Sequence, residues 1–326
     1  MGAGSEAGRT ALVTGLTGQD GSFLAELLLE KGYRVVGMIR GAPSDPVGCS
    51  EHLRDHVEFV HGDLLEPTSL VAAVAGVAPD ELYHLAAPSF VPDSWERPAR
   101  TFAAIAEATA TLLETVREQD RGARVFVAVS GAVFGAAPES PQREDTPCVP
   151  QNPYATAKLA ARQLTGQLRE RDGLFACSGI LYNHESERRP ESFVSRKITR
   201  AAAAIKLGLQ DEVVLGDLDA IRDWSFAGDI VQGAWLMLQQ DRADDYILAS
   251  GVGHTVAELA DLAFGHVGLR AADHIRVAPS LVRSEGTTAP VGDPTRARQR
   301  LGWVPKMSFD QLIRRMVDAD LRELQG

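Results

Sequence analysis

Short apolar runs alternate with helical repeats along the first half of the chain. The apolar runs lie at about 10–14, 33–39, 57–60, 81–85 and 124–129, and each has the length of a buried strand. Apolar residues recur at helical spacing at about 22–31, 67–75, 101–118 and 154–171. This alternation predicts an α/β fold: a doubly wound parallel sheet with helices on both faces.

The pattern becomes less regular after about residue 180. Charged and turn-rich stretches occur at 183–190 and 283–300. They predict a second, smaller domain over residues 181–326, after a first domain over residues 1–180. Segments near 220–250 are expected to return to the first domain.

A glycine-rich turn follows the first apolar run. It reads GLTGQDG over residues 15–21, and a helical pattern comes next. Glycine at positions 15, 18 and 21 allows a tight turn, close approach of backbone N–H groups to a pyrophosphate, and close packing of helix on strand. The helix N-terminus faces the anion. The unit predicts a Rossmann domain that binds a dinucleotide, NAD or NADP.

The second strand ends in a cation, Arg40. An NAD-specific site usually has an acidic residue here for the ribose hydroxyls, whereas a cation suits the 2′-phosphate of NADP. We therefore expect NADP, with NAD as the alternative if Arg40 is only a solvated charge at a strand end. Asp63 follows the third strand and Leu85 the fourth. Ligands bind at this edge of such sheets.

Composition limits the partners and the compartment. The chain has 326 residues, 44% of them hydrophobic, without an apolar run near the roughly 18 residues that span a bilayer. Its net charge of −11 argues against nucleic acid and anionic membranes as partners. Cys49, Cys148 and Cys177 are too few for a disulfide framework, and no signal-peptide pattern begins the chain. A cytoplasmic protein is expected.

Tyr154 and Lys158 are four residues apart in a predicted helix, so they share one face. A phenol with a pKa near 10 is a poor base at neutral pH, but a nearby cation favours the phenolate. The pair therefore predicts an acid/base site in which Tyr154 exchanges a proton with a sugar hydroxyl. The alternative is a surface helix with an unrelated Tyr and Lys.

The motifs resemble those of the extended short-chain dehydrogenase/reductase family, and in detail its GDP-mannose 4,6-dehydratase branch. The resemblance covers nearly the whole chain and depends on GLTGQDGS (15–22), AELLLEKGY (25–33), SWE (94–96), GILYNHES (179–186), SRKIT (195–199), RDWSFAGD (222–229) and GDP (292–294). It implies a nucleotide-diphosphate sugar as substrate, a nicotinamide cofactor, and hydride transfer at C4 of the sugar.

The resemblance also implies roles for single residues. Tyr154 would be the base, Lys158 would orient the cofactor ribose and lower the pKa of Tyr154, and Ser130 would hydrogen-bond the C4 oxygen. The resemblance, taken with the glycine turn and the strand ends, implies a set of cofactor-binding residues. They are Gly15, Thr17, Gly18, Gln19, Asp20, Gly21, Arg40, Asp63, Leu64, Leu85, Ala86, Ala87, Tyr154 and Lys158.

One position departs from the dehydratases of this family, which have a Glu two residues after the Ser or Thr that ends the fifth strand. Here the segment reads SGAVFG (130–135), so Ala132 stands at the Glu position. Dehydration needs a carboxylate that removes the proton beside the C4 ketone and an acid that assists loss of the C6 hydroxyl. Loss of such a group costs on the order of 10² to 10⁴ in rate. Asp93, Glu96 and Glu185 are the nearest candidates to replace it.

This segment is more similar to that of nucleotide-sugar 4-epimerases and 4-keto reductases. The sequence therefore favours a 4-epimerase with a transient 4-keto intermediate. A 4-keto-sugar reductase is the close alternative, and a 4,6-dehydratase with a relocated acid is the third. A non-enzymatic nucleotide-sugar sensor is the fourth, although intact Ser130, Tyr154 and Lys158 argue against it. Metal and acyl chemistry are not expected, because no metal-ligand spacing or nucleophile elbow occurs in the sequence.

Candidate substrate-binding residues come from motif position. Cations are expected to bind the diphosphate. Asn183 and Glu185 are expected in a substrate-binding segment, and Ser89 is expected beside the sugar. The cations are Lys197, Arg222 and Arg283. Guanine-binding relatives tend to read Arg-Pro-x-Glu-Val-Asp where this chain has RSEGTT (283–288), so guanine, adenine, cytosine and uracil all stay open.

The resemblance implies a homodimer built from the helices at 101–118 and 154–171. Their apolar positions recur at helical spacing, which would serve a dimer interface or a buried monomer core equally well. A tetramer held by the loop after Arg40 is not expected, since that loop continues as Gly41-Ala42-Pro43.

Overall fold

The computed structural model describes residues 8–278 and 289–326. In these ranges the strands are β1 (Thr10–Thr14), β2 (Arg34–Ile39), β3 (Glu58–His61), β4 (Glu81–His84), β5 (Arg124–Ser130), β6 (Ala176–Leu181), β7 (Asn183–Glu185), β8 (Val213–Leu215), β9 (Ile221–Phe226), β10 (Tyr246–Leu248), β11 (Gly253–Thr255) and β12 (Ile275–Val277). The α-helices are α1 (Gln19–Glu30), α2 (Pro67–Val77), α3 (Asp93–Glu96), α4 (Pro98–Phe102), α5 (Ala108–Gln119), α6 (Pro153–Asp172), α7 (Val194–Lys206), α8 (Ala227–Leu238), α9 (Val256–His266), α10 (Thr295–Leu301) and α11 (Phe309–Gln325).

A parallel sheet forms the centre of the described chain. Its seven strands lie in the order β3-β2-β1-β4-β5-β6-β10. Side chains of a strand alternate between faces, so Leu12 packs with α2 and α5, whereas Ala11 and Val13 pack with α1 and α8. Both faces are therefore covered, which requires strands that are apolar throughout. The predicted doubly wound α/β fold is confirmed.

A second apolar core lies among helices α7, α9 and α11. Ile198, Trp224, Phe264 and Met316 are buried there. Strand β9 carries Trp224 and is the middle strand of a three-stranded sheet in the order β11-β9-β7, while β12 pairs with β8. The division into domains near residue 180 stays a prediction. Helix α8 and strand β10 pack with the apolar core of the central sheet.

Two helices differ from the pattern read in the sequence. Helix α1 begins at Gln19 rather than near residue 22, because Gly18 donates to the Gly15 carbonyl (3.1 Å) and accepts from the Ser22 amide (3.1 Å). The helix expected at 101–118 is interrupted by a π-helical turn over Ala103–Glu107. Such turns insert one extra residue in a helix and are common at functional sites.

A buried carboxylate on the three-stranded sheet joins three segments of the chain. Asp223 of β9 is fully buried and accepts hydrogen bonds from the Ser250 amide (2.8 Å) and hydroxyl (2.6 Å), the Gly251 amide (3.0 Å) and the Gly292 amide (3.2 Å). Burial raises its pKa, and these bonds oppose the rise. Without the carboxylate, three backbone N–H groups would lose their acceptor.

Replacing this side chain tests its structural contribution. Asp223→Ala is expected to lower the free energy of unfolding by more than about 3 kcal/mol, since each buried unpaired polar group costs roughly 1–3 kcal/mol. Urea denaturation followed by circular dichroism measures the change. Asp241→Ala removes an exposed carboxylate and should change it by less than about 0.5 kcal/mol. A loss below about 1 kcal/mol for Asp223→Ala would contradict the assignment.

Candidate active site

Two glycines, one in the turn before α1 and one in the first turn of α1, are packed too closely for a side chain. Gly15 has a positive φ of 76°, and a methyl group there would lie 2.8 Å from the Ala86 nitrogen. A methyl group at Gly21 would overlap the Gly15 carbonyl oxygen. The N-cap residue, Gly18, places no side chain over the first N–H groups of α1. These features fit a dinucleotide, whose pyrophosphate would lie against open backbone donors.

The other predicted cofactor residues line the same edge of the sheet. Arg40 is exposed at the end of β2, and Asp63 accepts a hydrogen bond from the Leu65 amide (2.9 Å) beyond β3. The residues at 85–87 follow β4, where the Ala86 amide donates to the Thr14 hydroxyl (3.1 Å). Of the remaining residues in this group, Thr17 is exposed, Gln19 is buried, and Leu64 is partly buried. The carboxyl ends of β1 to β4 thus bring these positions together.

Local sequence fixes where α6 starts and so where Tyr154 points. The Asn152 side chain accepts a hydrogen bond from the Ala155 amide (2.9 Å), and Pro153 occupies the first helical position. Tyr154 is partly buried beside a small cluster that contains Ile105 of the π-helical turn and Ala157 of α6. The turn therefore supports the helix face that carries the candidate base.

Burial raises the pKa of Tyr154, and a hydrogen bond with Ser130 and the Arg189 guanidinium oppose the rise. The sequence predicted instead that Lys158 lowers this pKa. Lys158 is 6.0 Å from the phenol ring centre and donates to the Ala128 carbonyl (2.6 Å). Its own pKa falls to about 8 because of burial, which the Asp20 carboxylate opposes. Arg189 is thus one cation that opposes the rise in the pKa of Tyr154, while the effect of Lys158 on this pKa stays a prediction.

Ser130 ends β5 and caps a short 3-10 turn, Gly131–Val133, by accepting a hydrogen bond from the Ala132 amide (3.2 Å). Ala132, two residues after Ser130, is therefore held in this turn by the candidate hydroxyl. Asp93 and Glu96, two candidate replacement acids, are exposed on α3.

Glu185, the third candidate acid, is buried and already engaged. It accepts a hydrogen bond from the Ser195 hydroxyl (2.6 Å) and lies 3.2 Å from Nε of Arg189. The Arg189 guanidinium stacks on the Phe193 ring, 3.6 Å from its centre, and Phe193 meets Phe90 edge to face. Glu185 is thus paired with Arg189, and its contact with substrate stays a prediction.

The structure places the other predicted substrate residues on two adjacent strands and on the surface. Asn183 is partly buried on β7, which pairs with β9, the strand that contains Arg222. Lys197 is exposed on α7 and donates to the Val214 carbonyl (2.7 Å), and Ser89 is exposed after β4. Arg283, with the segment 283–288, lies outside the described residues.

Two histidines near the site were not assigned from the sequence. His84 ends β4, is buried, and shares a hydrogen bond with the Thr14 hydroxyl (2.8 Å); burial and Lys158 lower its pKa to about 3. His184 lies 2.8 Å from the Asp20 carboxylate. His84 was detectable as a polar residue at the end of an apolar strand, but nothing in the sequence pairs residue 184 with residue 20.

The rest of the described chain adds neither metal nor membrane features. Over residues 8–278 and 289–326, no three His, Cys, Asp or Glu side chains are arranged to hold a metal ion. In those same ranges no helix has the length and apolarity needed to cross a membrane.

Comparison with known proteins gives consistent matches over almost the whole chain. Residues 12–316 match the family described as GDP-mannose 4,6 dehydratase. GDP-mannose 4,6 dehydratase 1 of Arabidopsis thaliana is 45% identical over 96% of this chain and 90% of its own length. RMD from Pseudomonas aeruginosa, solved with NADPH, is 25% identical with a TM-score of 0.81, covering 97% and 99% of the two chains. A UDP-glucose 4-epimerase from Thermotoga maritima, 23% identical, shares the fold with a TM-score of 0.86 over 97% and 100%.

These findings correct the functional prediction. The 4-epimerase interpretation is wrong, because curated relatives with 45% and 40% identity over nearly the full chain are GDP-mannose 4,6-dehydratases. It gave more weight to the single residue Ala132 than to the motifs spread over the rest of the sequence. The resemblance stated from those motifs is confirmed, and the chain belongs to the GDP-mannose 4,6-dehydratase family of extended short-chain dehydrogenases/reductases.

Proposed function

We propose that the protein is a nicotinamide-dependent dehydratase that converts GDP-mannose into a GDP-6-deoxy-4-keto sugar with net loss of water. The observation that carries the proposal is the family match over residues 12–316, with 45% identity to a GDP-mannose 4,6-dehydratase. The geometry agrees with this chemistry, since Ser130, Tyr154 and Lys158 lie at the carboxyl edge of the sheet beside the dinucleotide turn.

The chain's own groups carry the proton steps at C4. The Ser130 hydroxyl would bind the C4 oxygen while Tyr154 takes the hydroxyl proton, and Arg189 stabilises the phenolate that this transfer requires. A bound nicotinamide dinucleotide would supply the hydride acceptor and donor. Because the product has a ketone at C4 and a methyl group at C6, the hydride removed from C4 returns to C6, and the reaction needs no external oxidant.

Elimination is the step that this chain is least equipped to assist. The proton on C5 must be removed and the C6 hydroxyl must leave as water, which a carboxylate near C5 would assist. Residue 132 is alanine, and Glu185 is held by Ser195 and Arg189. We therefore propose that C4 oxidation is efficient and that loss of water limits the overall rate.

We propose NADP as the cofactor. Arg40 is exposed at the end of β2, where the adenine ribose of a dinucleotide lies in folds of this kind. The structural relative from P. aeruginosa, solved with NADPH, gives support.

We also propose that the protein forms a homodimer through an exposed apolar surface. Trp95 and Phe102 are 64% and 39% exposed and lie beside Pro153 at the start of α6. A second copy of the chain would cover this apolar surface.

Removing the phenol oxygen tests the C4 step. Tyr154→Phe is expected to lower kcat for GDP-mannose by roughly 10² to 10⁴, since it deletes the acid/base group. The rate is measured by mass spectrometry of the nucleotide sugar. Tyr246→Phe alters a buried tyrosine of β10 and should leave kcat unchanged. Turnover by Tyr154→Phe at the native rate would refute the assignment.

Introducing a carboxylate at position 132 tests the elimination step. Ala132→Glu is expected to raise the rate of 6-deoxy-4-keto product formation by roughly 10² to 10⁴, the usual contribution of one general acid/base. Ala132→Gln has the same size without the charge and should give no such gain. Product formation that is already fast in the native chain and insensitive to Ala132→Glu would show that another group removes the C5 proton.

A third substitution tests the cofactor. Arg40→Ala is expected to weaken NADPH binding by roughly 10- to 100-fold and leave NADH binding unchanged, because a hydrogen bond to a charged group contributes about 1.5–3 kcal/mol. Fluorescence titration measures both affinities. Arg34→Ala, at the other end of β2, serves as the control and should alter neither. Equal losses for the two dinucleotides would argue against a 2′-phosphate contact.

A further inference from the structure

The His184 ring lies between two hydrogen-bond acceptors. Its Nδ1 is 2.7 Å from the Tyr182 carbonyl oxygen, and its Nε2 is 2.8 Å from Oδ2 of Asp20. A carbonyl oxygen and an ionised carboxylate only accept, so both ring nitrogens must carry a proton. His184 is therefore an imidazolium, and with Asp20 it forms an ion pair that is largely removed from solvent.

The ion pair joins two parts of the site that are 164 residues apart in sequence. Asp20 is in the first turn of α1, directly after the glycine turn that fits a pyrophosphate. His184 is the middle residue of β7 and follows Asn183, a predicted substrate contact. Gln19 adds a second connection, because its amide donates to the His184 carbonyl (3.1 Å) and its oxygen accepts from Ser186 (2.8 Å).

The charges around the pair come from several elements. Burial lowers the pKa of His184, and Arg189 acts in the same direction. The charge and hydrogen bond of Asp20, together with the hydrogen bond to the Tyr182 carbonyl, outweigh them and leave that pKa raised. The pKa of Asp20 falls to about 2, because His184, its hydrogen bonds and Arg189 outweigh the opposing effect of burial. The Asp20 charge also acts on Tyr154 and Lys158 of α6. Its contribution to the pKa of each is in the raising direction.

A pH range follows from these directions. Asp20 stays ionised above about pH 2. His184 keeps both protons up to a pKa above its ordinary value of about 6.5. As pH rises through that raised pKa, the imidazole loses one of its two donors, and the link between α1 and β7 weakens.

We propose that His184 is a positioning residue that couples the dinucleotide site to the predicted substrate-binding strand: through Asp20, a dinucleotide bound at the N-terminus of α1 stabilises β7, which includes Asn183. This inference depends on the proposed function only for the identity of the ligands. The coupling acts before any chemistry, so it is measurable without turnover.

Hydrogen exchange of the segment 183–186, followed by mass spectrometry with and without NADPH, tests the coupling. In the native chain NADPH is expected to slow this exchange at least fivefold at pH 6, after correction for the intrinsic rate. The effect should fall toward unity as pH rises through the raised pKa of His184. An unchanged exchange rate on adding NADPH would overturn the proposal. An effect that stays constant from pH 6 to the highest pH at which the protein remains folded would overturn it as well.

Two substitutions at the same position separate the two ring contacts. His184→Asn keeps a donor near the Tyr182 carbonyl but cannot reach Asp20, so it should lose the NADPH effect. His184→Gln keeps a neutral donor toward Asp20, so it should retain part of the effect without its pH dependence. A purely structural residue would instead show lower thermal stability in both variants and a native response to NADPH, which would overturn the proposal.

Asp20→Asn keeps the test decisive if the His184 variants do not fold. A neutral partner removes the charge that raises the pKa of His184, so the midpoint of the pH dependence should move to lower pH. An unchanged midpoint would overturn the proposal. Lack of GDP-mannose turnover with intact coupling would refute the proposed function alone, whereas normal turnover without coupling would refute this inference alone.

Discussion

The close contact between the glycine turn and the loop after β4 is the constraint on which the site depends. Because Gly15 lies against Ala86 and Gly21 against Gly15, helix α1 starts at the edge of the sheet with its first N–H groups uncovered. The same geometry brings Asp20 to β7. The glycine turn and the start of α1 are thus the fixed point against which β7 is held.

Burial sets the electrostatics of this site more strongly than any single charge pair. It raises the pKa of Tyr154, lowers those of Lys158 and His84, and is opposed at Tyr154 by Ser130 and Arg189. Arg189 is itself held by Glu185 and by the ring of Phe193. Glu185 and Phe193 therefore influence the pKa of Tyr154 indirectly, because they fix Arg189, one of the groups that oppose its rise.

The residue at position 132 and the sequence identity over the whole chain concern different properties of the protein. Identity of 45% across almost the full length concerns fold, ligand class and overall reaction, since these depend on many positions. One residue near the reacting carbon controls the rate of one step. The 4-epimerase interpretation treated that step as if it defined the reaction, whereas the proposed function treats Ala132 as a limit on the rate of one step.

The sequence by itself determined the doubly wound sheet, the glycine turn before α1 and the placement of Tyr154 and Lys158 in one helix, because these depend on period, glycine position and helical spacing within short stretches. It did not determine where α1 begins or the π-helical turn at 103–107, which depend on packing between elements. Nor did it reveal the ion pair of Asp20 with His184 or the action of Arg189 on Tyr154. Those contacts join residues far apart in the chain, and only the folded backbone brings them within a few ångströms of each other.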